Sequence, residues 1–164
     1  RDGVIRYAVA DEGDLLLYRE QRLENFGLED NAHKVDFMQG DACNLKSVYN
    51  NYDLILAANL LDRLYDPILF LKQIHERINV GGLLVLASPY TWLEEHTDKA
   101  NWLGGFKKDG ESFSTLDGIK SVLENHFQLI DGPFSQPFVI RETRRKFQHT
   151  LSEVTVWERR YVED

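Results

Sequence analysis

One strand–helix–strand stretch constrains the fold of this chain more than any other. Residues 52–58 (YDLILAA) are short and apolar throughout, which is typical of a central strand buried on both faces. The spacing over 65–82 predicts a helix, with Asp66 as its N-cap and Pro67 in its first turn. A pair of glycines then ends the helix, and residues 83–88 (LLVLAS) predict a second apolar strand. Two such strands joined by a helix indicate a parallel sheet in an α/β fold.

Further elements extend this pattern on both sides. Residues 35–40 (VDFMQG) alternate apolar and polar side chains and end in glycine, which predicts a strand followed by a turn. Residues 115–127 predict an amphipathic helix, and residues 127–130 predict another strand. The alternation over 152–159 (SEVTVWER) predicts a last strand, and it fits an outer strand better than a central one.

Composition and charge exclude several classes of protein. The 164 residues suit one domain, and a net charge of -8 argues against nucleic-acid binding, which needs a basic face. A single cysteine rules out an intramolecular disulfide, and the five histidines show no metal-ligand spacing, so we expect no metal site. The sequence contains no signal peptide and no apolar run of membrane-spanning length, which predicts no membrane partner and a cytoplasmic protein.

Three short stretches are candidates for a functional site because each follows a predicted strand. Ligands of an open parallel sheet bind beyond the carboxyl ends of its strands. That rule selects residues 40–45, 58–64 and 88–92, which together carry a carboxylate, an amide and aromatic rings. The long aromatic connection over 89–113 is interpreted as a substrate-binding or lid loop, because a connection of that length in a small domain is usually functional.

Several motifs together resemble a known family. They are GDACNL, YDLILAANLLDRLYDP, GGLLVLASPYTWLEEHT, WLGGF and PFVIRETRRKFQHTLSEVTVWERR. In this order they resemble class I S-adenosylmethionine-dependent methyltransferases, and most closely the methyltransferase domain of ovothiol-biosynthesis enzymes. The resemblance implies a Rossmann-like sheet with an antiparallel last strand. It also implies S-adenosyl-L-methionine as cofactor and N-methylation of the imidazole of 4-mercaptohistidine.

The resemblance also predicts that part of the domain is absent from this chain. The family's domain begins with a strand, a glycine-rich turn and a helix, whereas residues 4–10 predict a strand and residues 15–27 show only weak helical periodicity. We therefore expect residues 1–164 to be the C-terminal part of a single methyltransferase domain, with weak cofactor binding on their own. In the family this domain can be fused behind an iron-dependent sulfoxide synthase.

Cofactor contacts are assigned by the resemblance to the first two stretches. Asp41 is expected to accept a hydrogen bond from the adenine amine, and the N–H of Ala42 or Cys43 to meet a ring nitrogen. Asn59 is expected to lie against the transferable methyl group, with Leu60 packed on the cofactor. The alternatives are a turn aspartate that binds local backbone, and a loop asparagine that caps the next turn.

Substrate contacts and catalysis are assigned to two further residues and an aromatic set. Asp62 is a candidate to orient a substrate amine or take a proton, and an equally weighted alternative is a surface pair with Arg63. Tyr90 is the favoured substrate contact because it lies beside a strand end. Stacking on the imidazole is proposed for this aromatic set, of which at least two members are expected only to fix the loop: Tyr90, Trp92, Trp102 and Phe106.

A basic segment near the end of the chain supplies the last candidates. Arg141, Arg144 and Arg145 are potential partners for an amino-acid carboxylate, because a guanidinium matches that group's geometry. His149 is a candidate base. A solvated charged face and a structural histidine are the alternatives.

The alternatives for the whole chain come from different classes. One is a methyltransferase of another small amino-acid or thiol substrate, and a second is a nicotinamide-dependent oxidoreductase. A third is a non-catalytic fragment that acts as a dimerisation unit, with the edge of its central strand covered by another copy.

Overall fold

The computed structural model describes residues 3–162 of this chain and shows an α/β fold. Its helices are α1 (Pro67–Gln73) and α2 (Thr115–Leu123). Its strands are β1 (Val4–Glu12), β2 (Leu15–Arg22), β3 (Tyr52–Ala58), β4 (Ile78–Ser88), β5 (Phe106–Lys108), β6 (Glu111–Phe113), β7 (Phe127–Arg141) and β8 (Phe147–Arg159). Short 3-10 turns lie at Leu23–Phe26, Glu29–Lys34, Ala42–Asn44, Leu61–Arg63, Ile74–Arg77 and Lys99–Asn101. No helix within residues 3–162 has the length and apolar character needed to cross a membrane.

The described residues divide into two compact units. The first contains residues 3–39 and 138–149, and the second contains 40–137 and 150–162. In the first unit β1 and β2 form an antiparallel hairpin. The weak helical periodicity over 15–27 is therefore misleading, because residues 15–22 form a strand. Pairing with β1 and the 2.7 Å ion pair between Arg6 and Glu20 favour the extended conformation.

The second unit contains a mixed sheet in the order β3-β4-β8-β7. Strands β3 and β4 are parallel and are joined through α1, so the predicted strand–helix–strand unit is confirmed. The carboxylate of Asp66 accepts a hydrogen bond from the N–H of Leu69 at 2.8 Å, and Pro67 occupies the first turn as predicted. The helix ends earlier than predicted, and β4 begins at Ile78.

The core of this second unit lies between the sheet and the two helices. Leu84 and Leu86 alternate inward from β4, and Ile119 and Leu123 pack from α2, as the amphipathic pattern predicts. Cys43 is buried among them and serves as a small core side chain. This core fixes the carboxyl ends of β3 and β4, from which the candidate site is built.

Two strands take positions opposite to those predicted. Strand β3 lies at the edge of the described sheet, and its Leu54 and Leu56 are 56% and 60% exposed, so it is not buried on both faces. Strand β8 is an inner strand between β4 and β7. Its polar Thr155 is buried, and the hydroxyl accepts a hydrogen bond from the indole N–H of Trp157 at 2.8 Å. The alternation of apolar and polar residues, which is typical of an outer strand, therefore does not mark an exposed face here.

Residues 35–40 do not form the predicted strand. They carry no regular secondary structure, and the side chain of Phe37 is 91% exposed. No strand of the described chain pairs with them, so their alternation has no ladder to stabilise it. Asp41 therefore begins a 3-10 turn and does not follow a strand.

A stacked histidine pair gives this unit a predicted pH dependence. The rings of His75 and His126 lie 3.8 Å apart at an interplanar angle of 3°. Burial, followed by the neighbouring His126, lowers the pKa of His75, although the Lys72 carbonyl and Glu76 oppose the shift, and Arg159 lowers the pKa further. The unfolded chain then binds more protons below the ordinary histidine pKa of about 6.5, so stability is lost as the pH falls through that value.

We expect urea unfolding of His75→Phe to show a smaller loss of stability between pH 7 and 5 than the wild type, because the substitution removes the titrating ring and keeps an aromatic stack. His96→Phe is the matched control, since His96 is an exposed ring beside Glu95. An unchanged pH slope in His75→Phe would contradict this assignment.

Candidate active site

Asn59 lies at the carboxyl end of β3 in an unusual backbone conformation. Its φ of 52° is in the left-handed region, which an asparagine tolerates better than most residues. Its N–H donates to the Ala87 carbonyl at 2.6 Å, and its side-chain oxygen accepts from the Ser152 hydroxyl at 2.7 Å. The amide is thus held between the ends of three strands at one edge of the sheet.

Tyr90 lies at the corresponding end of β4. Its φ of 54° is also left-handed, and its hydroxyl donates to the Glu153 carboxylate at 3.0 Å. The register of the sheet sets Ser88 opposite Glu153, which brings the two side chains to the same edge. Burial, followed by the Glu153 carboxylate, raises the pKa of Tyr90, so the phenol stays protonated and donates.

Asp62 is buried beneath this edge, with 1% of its surface exposed. One carboxylate oxygen accepts from the Ser88 hydroxyl at 3.1 Å. The other accepts from the N–H and the hydroxyl of Thr91, at 2.9 and 2.6 Å. Both oxygens are therefore occupied by the segment around Tyr90, and the residue positions that segment.

Arg63 completes the support of this segment. Its guanidinium donates to the Asp62 carboxylate at 3.1 Å and to the carbonyl and hydroxyl of Thr91 at 2.9 and 3.0 Å. The pair of Asp62 with Arg63 considered from the sequence exists, but its carboxylate is buried and not at the surface.

Asp41 makes local contacts. One carboxylate oxygen accepts from the N–H of Cys43 at 2.9 Å, and the other accepts from the hydroxyl of Tyr65 at 3.1 Å. The Cys43 thiol donates to the Asp66 carbonyl at 3.3 Å, and burial raises the pKa of that thiol. This is the geometry of a turn aspartate, and among residues 3–162 the second carboxylate oxygen is bound only by an exposed tyrosine.

The two apolar residues assigned to the cofactor are half-buried. Ala42 and Leu60 both pack against the core cluster, and neither is fully covered. Leu60 precedes the turn that carries Asp62, so its side chain lies near the carboxyl end of β3.

The aromatic residues of the 89–113 segment mostly fix that segment. Trp92 and Trp102 stack with ring centroids 6.1 Å apart. The indole of Trp92 donates to the Thr115 hydroxyl and that of Trp102 to the Thr97 carbonyl, both at 2.9 Å. Phe106 lies in the β5–β6 hairpin against Phe113, with ring centroids 5.6 Å apart. Of these four aromatic residues, Tyr90 is the one that donates a hydrogen bond to a carboxylate, that of Glu153.

The basic segment belongs to the first unit. Arg144 lies 3.4 Å from the Asp11 carboxylate, and Arg145 donates to Glu12 at 3.2 Å. Arg141 donates to the carbonyl of Thr143 at 3.0 Å within its own turn. His149 is an exposed residue of β8 in the same unit. The arginines predicted to bind a carboxylate thus have carboxylate or carbonyl partners within their unit.

The sequence reasoning missed Ser152 and Glu153. Both lie at the start of the segment 152–159, which was interpreted as an outer strand. The antiparallel register of β8 against β4 places them at the carboxyl end of β4, beside Asn59 and Tyr90. The role of Ser152 and Glu153 depends on the strand order, and the strand order is set by pairing between segments that are distant in sequence.

Comparison with known proteins adds a likeness of fold. The chain is similar to a solved structure described by the words "Conversion of a Disulfide Bond into a Thioacetal Group during Echinomycin Biosynthesis", with a TM-score of 0.54 and 11% identity over 87% of this chain. It spans 64% of the length of that protein. At this identity the likeness shows the fold alone. No protein-family model matches the sequence. No curated protein matches it either.

Proposed function

We propose that this chain is part of a Rossmann-like S-adenosylmethionine-dependent methyltransferase that methylates an imidazole nitrogen of 4-mercaptohistidine. The observation that carries the proposal is the arrangement at the carboxyl edge of β3 and β4. There Asn59 and Tyr90 leave adjacent parallel strands in left-handed conformations, each tied to β8 by its side chain. This edge is where ligands of open parallel sheets bind.

The available polar groups suit part of the cofactor. The Asp41 carboxylate is an acceptor for an exocyclic amine, and one of its oxygens accepts from the Tyr65 hydroxyl. The Cys43 N–H is already bonded to that carboxylate, which leaves Ala42 as the backbone donor of the two considered. Asn59 and Leu60 would border the methyl end. When bound, S-adenosylmethionine supplies an electrophilic methyl group.

The chain's own residues would act mainly by positioning. Asp62 holds the Ser88–Thr91 segment, so Tyr90 has a fixed place relative to Asn59. A nucleophile held in line with the methyl group of the donor accounts for most of the expected rate gain in a displacement of this kind. The half-buried Tyr90 ring offers a planar surface on which an imidazole stacks.

Titration calorimetry with S-adenosylhomocysteine tests the proposal. We expect saturable binding to the native polypeptide that contains these residues. Asp41→Asn is expected to weaken the binding about tenfold, because it removes a charge-assisted hydrogen bond. Asp53→Asn is the matched control, since Asp53 is an exposed residue bonded to Asn79. Failure of the native polypeptide to bind would overturn the methyltransferase proposal.

The exposed edge of β3 favours a second candidate function, association through this strand. Leu54 and Leu56 are more than half exposed, and β3 has one strand neighbour among the described residues. A homodimer or the adjacent part of a larger enzyme, such as a sulfoxide synthase, would cover this edge. Light scattering on the 164-residue chain distinguishes a homodimer from association with a different partner. Only self-association gives the mass of a dimer, and Leu56→Lys is then expected to restore the mass of a monomer.

A further inference from the structure

Glu153 has a binding capacity that its known contacts do not use. One carboxylate oxygen accepts from the Tyr90 hydroxyl at 3.0 Å. Among residues 3–162 no hydrogen-bond donor or cation contacts its other oxygen. The side chain is half-buried, so this oxygen keeps access to a ligand at the carboxyl edge of β4.

The phenol of Tyr90 keeps the Glu153 carboxylate oriented. Burial and the carboxylate itself raise the pKa of Tyr90, so the hydroxyl remains a donor at neutral pH. The arrangement therefore presents the other carboxylate oxygen in a fixed direction, which suits a cationic or N–H-bearing ligand.

Other groups at this edge are unsuited to accept a proton. Both oxygens of Asp62 are occupied by Ser88 and Thr91, and the residue is 1% exposed. Asn59 and Ser152 are neutral and are bonded to each other. Glu153 is thus the one accessible carboxylate among the side chains placed at this edge within the described part of the chain.

We propose that Glu153 binds the N–H of the substrate imidazole and accepts its proton on methylation. The assignment rests on the function proposed above. The unprotonated ring nitrogen forms a bond to the methyl carbon, the carbon–sulfur bond of the donor breaks, and its electron pair stays on sulfur. The ring becomes an imidazolium, and the proton on its other nitrogen passes to the free oxygen of Glu153. Charge and atoms balance, and no further reactant is required.

Binding of 1-methylimidazolium tests the assignment without the cofactor. At about pH 6 this probe is mostly protonated and carries one N–H, as the methylated ring does. We expect saturable binding by NMR titration of the native polypeptide, and at least about fivefold weaker binding by Glu153→Gln, whose side-chain oxygen still accepts from Tyr90. Glu158→Gln is the matched control, because Glu158 lies on the same strand opposite Leu83, near the other end of the sheet.

The results separate this assignment from the proposed function. Equal probe affinity for the wild type and Glu153→Gln, or no saturable binding to the wild type, overturns the assignment of Glu153. Loss of S-adenosylhomocysteine binding in the wild type overturns the methyltransferase proposal and leaves a Glu153-dependent imidazolium site standing. Where both bind, we expect Glu153→Gln to keep its S-adenosylhomocysteine affinity and lose about 100-fold in methyl transfer.

Discussion

The free energy of unfolding of Asp62→Ala is expected to lie about 3 kcal/mol below that of the wild type. The substitution removes the acceptor of three hydrogen bonds from Ser88 and Thr91. The Ser88 hydroxyl is itself 1% exposed, so water cannot readily replace its lost partner. Arg63 also loses a carboxylate, but it is 40% exposed and keeps the Thr91 carbonyl. Most of the cost therefore comes from buried donors and not from the ion pair.

Urea unfolding at neutral pH measures this loss as a lower midpoint with an unchanged slope. Asp53→Ala is the matched control, since its carboxylate accepts one hydrogen bond from Asn79 at the surface and its loss is expected to cost less than about 0.5 kcal/mol. Asp62→Asn is expected to lie between the two, because its amide nitrogen would face the donors of Thr91. Equal midpoints for Asp62→Ala and Asp53→Ala would show that Asp62 does not support the Tyr90 segment.

Local sequence patterns predicted the strand–helix–strand unit because its signals are complete within a few residues. Asp66 caps α1 through a hydrogen bond only three residues away, and Pro67 has a preset backbone angle. Apolar runs identify β3 and β4 for the same reason. These elements needed no knowledge of distant partners.

The predictions that were wrong concern features that depend on pairing between distant segments. Whether 35–40 forms a strand, and whether 152–159 is inner or outer, is decided by which strands lie alongside them. The candidate site shows the same division. Asn59 and Tyr90 follow strand ends that local patterns predict, whereas Glu153 reaches them only through the antiparallel register of β8. The buried role of Asp62 likewise depends on Thr91, which lies far along the chain.

Gly118→Ala is expected to destabilise the second unit by about 3 kcal/mol, although alanine normally stabilises a helix relative to glycine. A methyl group at this position of α2 would lie 1.7 Å from the Leu103 carbonyl oxygen. Gly104 also lies against backbone, since a Cβ there would lie 2.2 Å from the Ser114 carbonyl oxygen. Backbone atoms cannot rotate away as a side chain does, so the segment would have to separate from the helix.

The same contact bears on the lid interpretation of residues 89–113. The hydrogen bond from the Trp92 indole to the Thr115 hydroxyl fixes the segment on one side. The approach of Leu103 to Gly118 fixes it next to that point. A lid that opens must therefore hinge beyond Leu103, within the β5–β6 hairpin, whose turn has Asp109 at a φ of 51°. Gly118→Ala releases the fixed part, so it is expected to change tryptophan fluorescence as well as stability.

Gly40→Ala is the matched control for this substitution. The nearest atom to its added methyl group would be a Leu45 side-chain carbon at 4.0 Å, so its stability is expected to stay within about 0.5 kcal/mol of the wild type. Urea unfolding followed by tryptophan fluorescence measures both variants. If Gly118→Ala is as stable as Gly40→Ala, the segment does not pack directly on the backbone of α2, and a hinge before Leu103 is then allowed.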